Sequence, residues 1–295
     1  MSVPARRVLL VTHPSRDVAL NAVLAATQRF HAAGVQVVVP KEDAALDIPD
    51  AEVVEDMTCA EGCDVAIVLG GDGTMLRAAE LTHHAGVPVV GINLGHVGFL
   101  AEAEERDLHA VVDQVIAGGW TVEERLALDI TVMRDGDVAH RLWAVNEASL
   151  EKADRQRMIE VVVEVDGRPL SRWGCDGVVC ATPTGSTAYA FSAGGPVVWP
   201  EVEALLCVPI SAHALFARPL VTAPGSLIAM ELVGRVDAVL WSDGRRSVPV
   251  VVGDRVEVRR STEPLLVARL ESTPFTDRLV AKFALPVHGW RGRRS

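Results

Sequence analysis

The stretch DVAIVLGGDGTMLRAAELTHHAG, residues 64–86, constrains the fold of this chain more than any other. Five consecutive apolar residues, Val65 to Leu69, run into Gly70-Gly71-Asp72-Gly73-Thr74, and a helix-favouring run follows at once and stops at Gly86. A short strand that is apolar at every position is buried on both faces. A strand that feeds directly into a helix belongs to a parallel sheet with right-handed crossovers. The same rhythm repeats on either side. RVLLVT reads as a strand, residues 16–33 as an Ala-rich helix ending at Gly34, VQVVV as a strand, and VPVVGIN as a fourth strand. Between VQVVV and the third strand, Glu42 to Glu61 reads as an acidic, irregular connection.

One more helix is expected over 105–118, ending at Gly118-Gly119, and then the pattern changes. RLALDITVMRDGDVAHRLWAV and MIEVVVEVDGRPLSRWG each read as two strands turning at Asp-Gly, a dipeptide that tolerates the positive φ of tight hairpins. Further strands are expected near 226–233, 237–242, 248–252, 255–260 and 264–270. TPFTDRLVAKFAL reads as a closing helix and RGRRS as a solvated tail. The expected organisation is an α/β domain over 1–119, a β-rich domain over 120–272, and a C-terminal helix with a basic tail over 273–295 that packs back on the first domain.

Composition narrows the function classes. In 295 residues there are 28 basic and 39 acidic side chains, a net charge of −11, which argues against a nucleic-acid binder with a basic footprint. Six Trp, six Phe and one Tyr are too few for a base-stacking surface. The five cysteines are odd in number and sparse, as expected of reduced thiols in a cytoplasmic protein. Cys59 and Cys63 have no second pair at zinc-ligand spacing, so no metal site is expected in the protein itself. The apolar run Val8–Val11 is too short for a signal-peptide core, and no stretch approaches a membrane span.

Four segments carry candidate chemistry. The first is Gly70-Gly71-Asp72-Gly73-Thr74, whose strand-to-helix junction offers backbone N–H groups and a positive helix end to an anion. No lysine follows and no G-x-G-x-x-G is present, so this is neither a P-loop nor a dinucleotide fingerprint. Asp72 is the odd member, because a carboxylate in an anion site is repelled unless it handles a proton or a metal. The alternative is an Asp bonded to the N–H groups of a tight turn. Arg77, one turn on, is either a phosphate contact or an ordinary helical Arg. The second segment is GINLGHVGFL, residues 91–100, a glycine-rich strand exit holding Asn93 and Phe99. The third runs from Asp176-Gly177 through TPTGSTAY to SAGGP and crowds hydroxyls, glycines and the single Tyr into about twenty residues. No G-x-S-x-G surrounds Ser186, which argues against hydrolase chemistry. The fourth is Asn146-Glu147, an amide and a carboxylate able to clamp a vicinal diol.

Together these segments resemble the NAD kinase family, ATP- or polyphosphate-dependent enzymes that make NADP from NAD. The resemblance runs from the first strand to about residue 285. The GGDGT loop alone is shared with diacylglycerol and sphingosine kinases and resembles a phosphofructokinase loop. GINLGHVGFL, Asn146-Glu147 and DGVVCATPTGSTAYAFSAGGP, in this order, look specific to NAD kinases, and LCVPISAHALFARPLV also resembles the family's later segment with its His and Arg-Pro. The resemblance implies a phosphofructokinase- and diacylglycerol kinase-like α/β domain followed by a β-sandwich-like domain, with NAD bound between them. It implies Asp72 as the catalytic base for the adenosine-ribose 2′-hydroxyl, with Gly70, Gly71, Gly73, Thr74 and Arg77 near the phosphates. Asn93 and Phe99 would shape the pocket, and Asn146, Glu147, Asp176, Thr187, Ala188, Tyr189 and Ser192 would contact NAD. Arg157 matches a position that, in some members, reaches the nucleotide of a neighbouring subunit. Mg²⁺ would arrive with ATP or polyphosphate, in a homodimer or homotetramer without nucleic acid or membrane partners. Two positions depart from the family pattern: Arg245 stands where many members have Gln, and Gly174 where some have a basic residue. The rival readings are a lipid or sphingoid kinase and a non-catalytic nucleotide sensor. Donor preference, use of NADH, and feedback by NADPH are not legible in the residues.

Overall fold

A computed structural model describes residues 5–12, 17–94, 98–100, 103–104, 107–270 and 274–287. Gly95, His96 and Val97 of the second glycine-rich loop and the basic tail lie outside the described residues. The chain divides into two compact units, one formed by 1–124 with 265–295 and the other by 125–264.

The first unit opens with seven strands: β1 (Arg7–Thr12), β2 (Gln36–Pro40), β3 (Glu52–Val54), β4 (Val65–Leu69), β5 (Val89–Asn93), β6 (Ala103–Glu104) and β7 (Thr121–Arg125). Three helices lie among them, α1 (Asp17–Ala32), α2 (Asp72–Thr82) and α3 (Leu108–Ile116). The apolar runs become parallel strands in register, with Val8 opposite both Val37 and Val65. Every residue of β4 and β5 is buried. Alternation sorts their side chains onto two faces. Val8, Leu10, Val37, Val39, Val65 and Ile67 pack with Val23, Ala26 and Phe30 of α1 and Val111, Val112 and Val115 of α3. Helix α2 lies against β1, β4 and β5.

The second unit holds twelve strands in two antiparallel sheets: β8 (Leu128–Arg134), β9 (Asp137–Ala144), β10 (Glu147–Lys152), β11 (Ile159–Val165), β12 (Arg168–Cys175), β13 (Gly177–Ala181), β14 (Leu205–Ile210), β15 (Leu220–Thr222), β16 (Ile228–Leu232), β17 (Ala238–Ser242), β18 (Arg246–Val250) and β19 (Arg255–Arg260). One sheet runs β15-β14-β13-β10-β17-β18 and the other β12-β11-β16-β19-β8-β9. The Asp-Gly turns form as expected, with φ of +53° and +89° at Asp135-Gly136 and +52° and +73° at Asp166-Gly167. The two sheets share one core, in which Trp173 is fully buried among Leu128, Ile130, Leu150, Val161 and Leu240. This is a β-sandwich. A single helical turn, α4 (Tyr189–Ser192), covers Val179 and Leu206 on the outer side of β13 and β14 with Ala190.

The chain then returns to the first unit through β20 (Leu265–Arg269) and α5 (Phe275–Phe283). The first sheet is completed in the order β3-β2-β1-β4-β5-β20-β7, with β6 beside β5. Residues 121–125 and 265–269, read from the sequence as part of the β-rich half, are therefore strands of the α/β sheet. Val267 pairs with Val89 in parallel, an alignment no local pattern announces.

Candidate functional site

In the first unit, Gly70 leaves β4 with its N–H bonded to the carbonyl of Ile92 (3.0 Å), and Asp72 is the first residue of α2. The N-cap residue, Gly71, offers no side chain; Thr74 and Met75 N–H bond its carbonyl (2.9 and 3.1 Å), and among the described residues the N–H groups of Asp72 and Gly73 stay open to an anion. The Asp72 carboxylate faces the second glycine-rich loop. It accepts the N–H of Phe99 at 3.1 and 3.3 Å and that of Leu100 at 3.2 Å. A Cβ at Gly98 would overlap Asp72 Oδ1, so only glycine lets this backbone approach so closely. Asp72 is half-buried. The two glycine-rich loops, separate motifs in the sequence, thus meet on one carboxylate. Thr74 is buried, its side chain against Gly70, and Asn93 is buried at the end of β5.

Arg77 is engaged within its own unit. Its Nη1 donates to Asp43 Oδ1 (2.8 Å) and to the carbonyl of Thr12 (2.9 Å), and its Nε lies 3.2 Å from Glu42. Asp43 is fully buried, and burial pushes its carboxyl above the ordinary range while Arg77 pulls it back. The Arg77 guanidinium therefore ties α2 to the end of β1 and the turn after β2. Only Nη2 is without a partner among the described residues. Phe99 is not a free pocket wall either. Its ring packs at 6.0 Å from Phe275 and 5.7 Å from Phe283, both on α5.

In the second unit the candidates gather around the turn before β10. Asp243, at φ +52° in the β17–β18 turn, accepts the N–H groups of Val145 (2.9 Å), Asn146 (2.7 Å) and Glu147 (3.2 Å). Arg246 lies 3.2 Å from the same carboxylate and stacks 4.4 Å over Trp143. The sequence reading did not single out Asp243, because its three backbone partners lie 96 to 98 residues away in the chain. The TPTGSTAY segment closes on the other side. Thr182 Oγ1 donates to the Val145 carbonyl (2.6 Å) and accepts from Gly185 N–H (3.0 Å). A Cβ at Gly185 would strike the Asn146 carbonyl.

Glu147 is buried in this nest, with the N–H of Tyr189 favouring its charged form and its Oε2 unpartnered among the described residues. Burial, reinforced by Asp243, pushes its carboxyl up to about 8. A carboxyl that keeps its proton near neutrality can donate as well as accept, which suits a pair of hydroxyls. Tyr189 is partly exposed, and its hydroxyl is shifted upward by burial and by Glu151, Glu147 and Asp176. Asp176 is held by Lys152 at 2.5 Å. Thr187 bonds the Thr184 carbonyl (3.3 Å), Ala188 leads into α4, and Ser192 is exposed on it. Ser186 is buried and bonded both ways to Val198, at 3.1 and 2.9 Å, a structural role and not that of a nucleophile. Arg157 is exposed in the β10–β11 turn, apart from this group. The Cys59 and Cys63 thiols donate to backbone carbonyls, and burial pushes Cys59 up to about 12, unlike a metal-binding thiolate.

The chain is similar to known proteins over nearly its full length. Residues 8–120 match the model of the ATP-NAD kinase N-terminal domain, and residues 145–270 that of the ATP-NAD kinase C-terminal domain. The chain is 56% identical to NAD kinase 2 of Streptomyces avermitilis, covering 98% of this chain and 97% of that one. It is also 56% identical to the NAD kinase of Thermobifida fusca, covering 98% and 92%. Two solved structures share the fold at 25% identity. Yeast NADH kinase complexed with NADH has a TM-score of 0.87 over 99% of this chain and 91% of its own. An NAD kinase from Archaeoglobus fulgidus in complex with ATP has a TM-score of 0.73 over 95% and 100%. With both domain models matched in order and relatives this close over nearly the full length, the chain belongs to the NAD kinase family.

Proposed function

We propose that this NAD kinase transfers a phosphoryl group to the 2′-hydroxyl of the adenosine ribose of NAD, with Asp72 taking the hydroxyl proton. The observation that supports it is the Asp72 carboxylate itself, aimed by two backbone N–H groups and set at the open N-terminus of α2. The glycine loop supplies N–H groups to phosphate oxygens, and the carboxylate supplies the base, the division of labour that in-line phosphoryl transfer requires. ATP is the donor favoured here, because the Archaeoglobus relative was solved with it; inorganic polyphosphate presents the same terminal group. A single half-buried carboxylate beside open N–H groups fits Mg²⁺ carried on the donor's phosphates, not a protein cage. Bound in that way, the ion would neutralise charge on the transferring group. Glu147, Asn146 and the 182–189 segment are proposed to hold the nucleotide, and Arg157, exposed on its turn, to act across a homo-oligomer contact. Five free, buried cysteines support a cytoplasmic setting. No helix among the described residues is long and apolar enough to cross a membrane.

The test is NADP formation from NAD, Mg²⁺ and either ATP or polyphosphate, read by an NADP-specific dehydrogenase. Asp72→Asn should lower kcat by a factor on the order of 10² or more with little change in KM for NAD, as loss of a general base does. Unchanged turnover, or a change confined to KM, would overturn the role of Asp72.

A further inference from the structure

Helix α5 reaches the catalytic loop by a route that the reaction itself does not require. Arg278, 7% exposed, donates from Nη1 to the carbonyl of Phe99 (3.0 Å). That carbonyl and the N–H of Leu100 belong to one peptide group, and the same N–H donates to Asp72 Oδ1 at 3.2 Å. Guanidinium, peptide and carboxylate therefore form one line of hydrogen bonds. A cation on the oxygen of an amide polarises it and strengthens the bond its N–H gives, the cooperativity of hydrogen-bonded chains in a low dielectric. Phe275 and Phe283, on either side of Arg278 along α5, clamp the Phe99 ring and fix the peptide that carries the line. The charges around Arg278 agree. Burial lowers its affinity for a proton, while Glu123 and Asp72 oppose that loss. Arg269, ion-paired to Glu123, is a second cation near it.

We infer that Arg278 is a positioning residue for the phosphoryl transfer: through the Phe99–Leu100 peptide it orients the Asp72 carboxylate, so that the C-terminal helix completes the catalytic loop. This rests on Asp72 being the base. Arg278 need not touch NAD or the donor. Its loss should therefore act on the chemical step and not on binding.

The experiment is a double-mutant cycle on the full-length enzyme, with kcat and KM measured for Arg278→Met, Arg278→Lys, Asp72→Asn and Arg278→Met/Asp72→Asn. Arg278→Met should lower kcat roughly tenfold, the scale of a misoriented catalytic group, with KM for NAD and for ATP within about twofold. Arg278→Lys, which keeps a cationic donor, should recover most of the rate. In the Asp72→Asn background Arg278→Met should cost almost nothing further, because the group it orients is gone. An equal loss in both backgrounds, or a loss confined to KM, would show that Arg278 serves structure or binding and overturn the inference. If Asp72→Asn alone keeps full turnover, it is the assignment of the base that fails, and that result is distinct. Should Arg278→Met not fold, Arg278→Lys and Arg278→Gln carry the same comparison: equal kcat in these two variants overturns the role of the charge.

Discussion

A buried carboxyl with an upward shift leaves a signature in stability, and Glu147 has the largest one here whose value can be set beside its unfolded reference. Its folded value of about 8 stands above the ordinary glutamate value of 4.5. The folded state therefore binds the proton more tightly than the unfolded state. The resulting stabilisation is complete below about pH 4.5 and is lost as pH rises through about 8. Replacing the carboxyl by an amide removes that dependence. Glu147→Gln should accordingly gain stability relative to the parent as pH rises from 5 to 8.5, by about 4 kcal/mol across that span. Urea unfolding at several pH values measures it, and a stability difference flat in pH would refute the shift. Asp243 is shifted in the same direction, by burial first, so some pH dependence should survive in the variant.

At the scale of elements, the question is what fixes α2, since Asp72, the proposed base, is its first residue. Arg77 answers it from inside the helix, joining the fully buried Asp43 and the end of β1. Removing one partner of a buried pair strands the other charge, which costs about 3 kcal/mol, whereas neutralising both restores much of it. Arg77→Met should lower stability by that amount, and adding Asp43→Asn should return more than half. If Arg77 instead met the donor's phosphates, the variant would raise KM for ATP and leave the melting temperature alone. The contrast shows what was legible beforehand. Asp72 stood out because its neighbours define an anion site, and a carboxylate there is chemically anomalous. The strands β1, β2, β4 and β5 and the two Asp-Gly hairpins were legible because periodicity and turn chemistry are local. Arg77 was ambiguous, since one helical Arg looks like another until its partners are seen. Arg278 was invisible, because the carbonyl it bonds lies 179 residues away in the chain. Asp243 was hidden for the same reason, since the N–H groups it accepts lie 96 to 98 residues away.

The whole molecule is built from one continuous unit inserted in a discontinuous one. The sandwich core draws every member from residues 128–258. Both of its sheets close within 125–264. The first unit is different, because β20 enters its sheet between β5 and β7 and Ala268 is part of its core. Residues 1–124 alone would expose β5 along the edge that β20 covers, and would lack the α5 aromatics that hold Phe99. An unpaired inner strand with buried-type side chains on both faces is a template for aggregation. The segment 125–264 expressed alone should therefore fold, giving a cooperative urea transition by far-UV circular dichroism, with a shift in the emission of its four tryptophans, of which Trp173 is fully buried, while 1–124 alone should be insoluble or unfolded. A cooperative transition from 1–124, or none from 125–264, would sink this account. The arrangement also bears on catalysis. In an insertion of this kind the strand and helix that complete the first unit are synthesised after the sandwich. If α5 aligns the Asp72 carboxylate, the catalytic loop reaches its working geometry only once residues 275–283 have folded onto it.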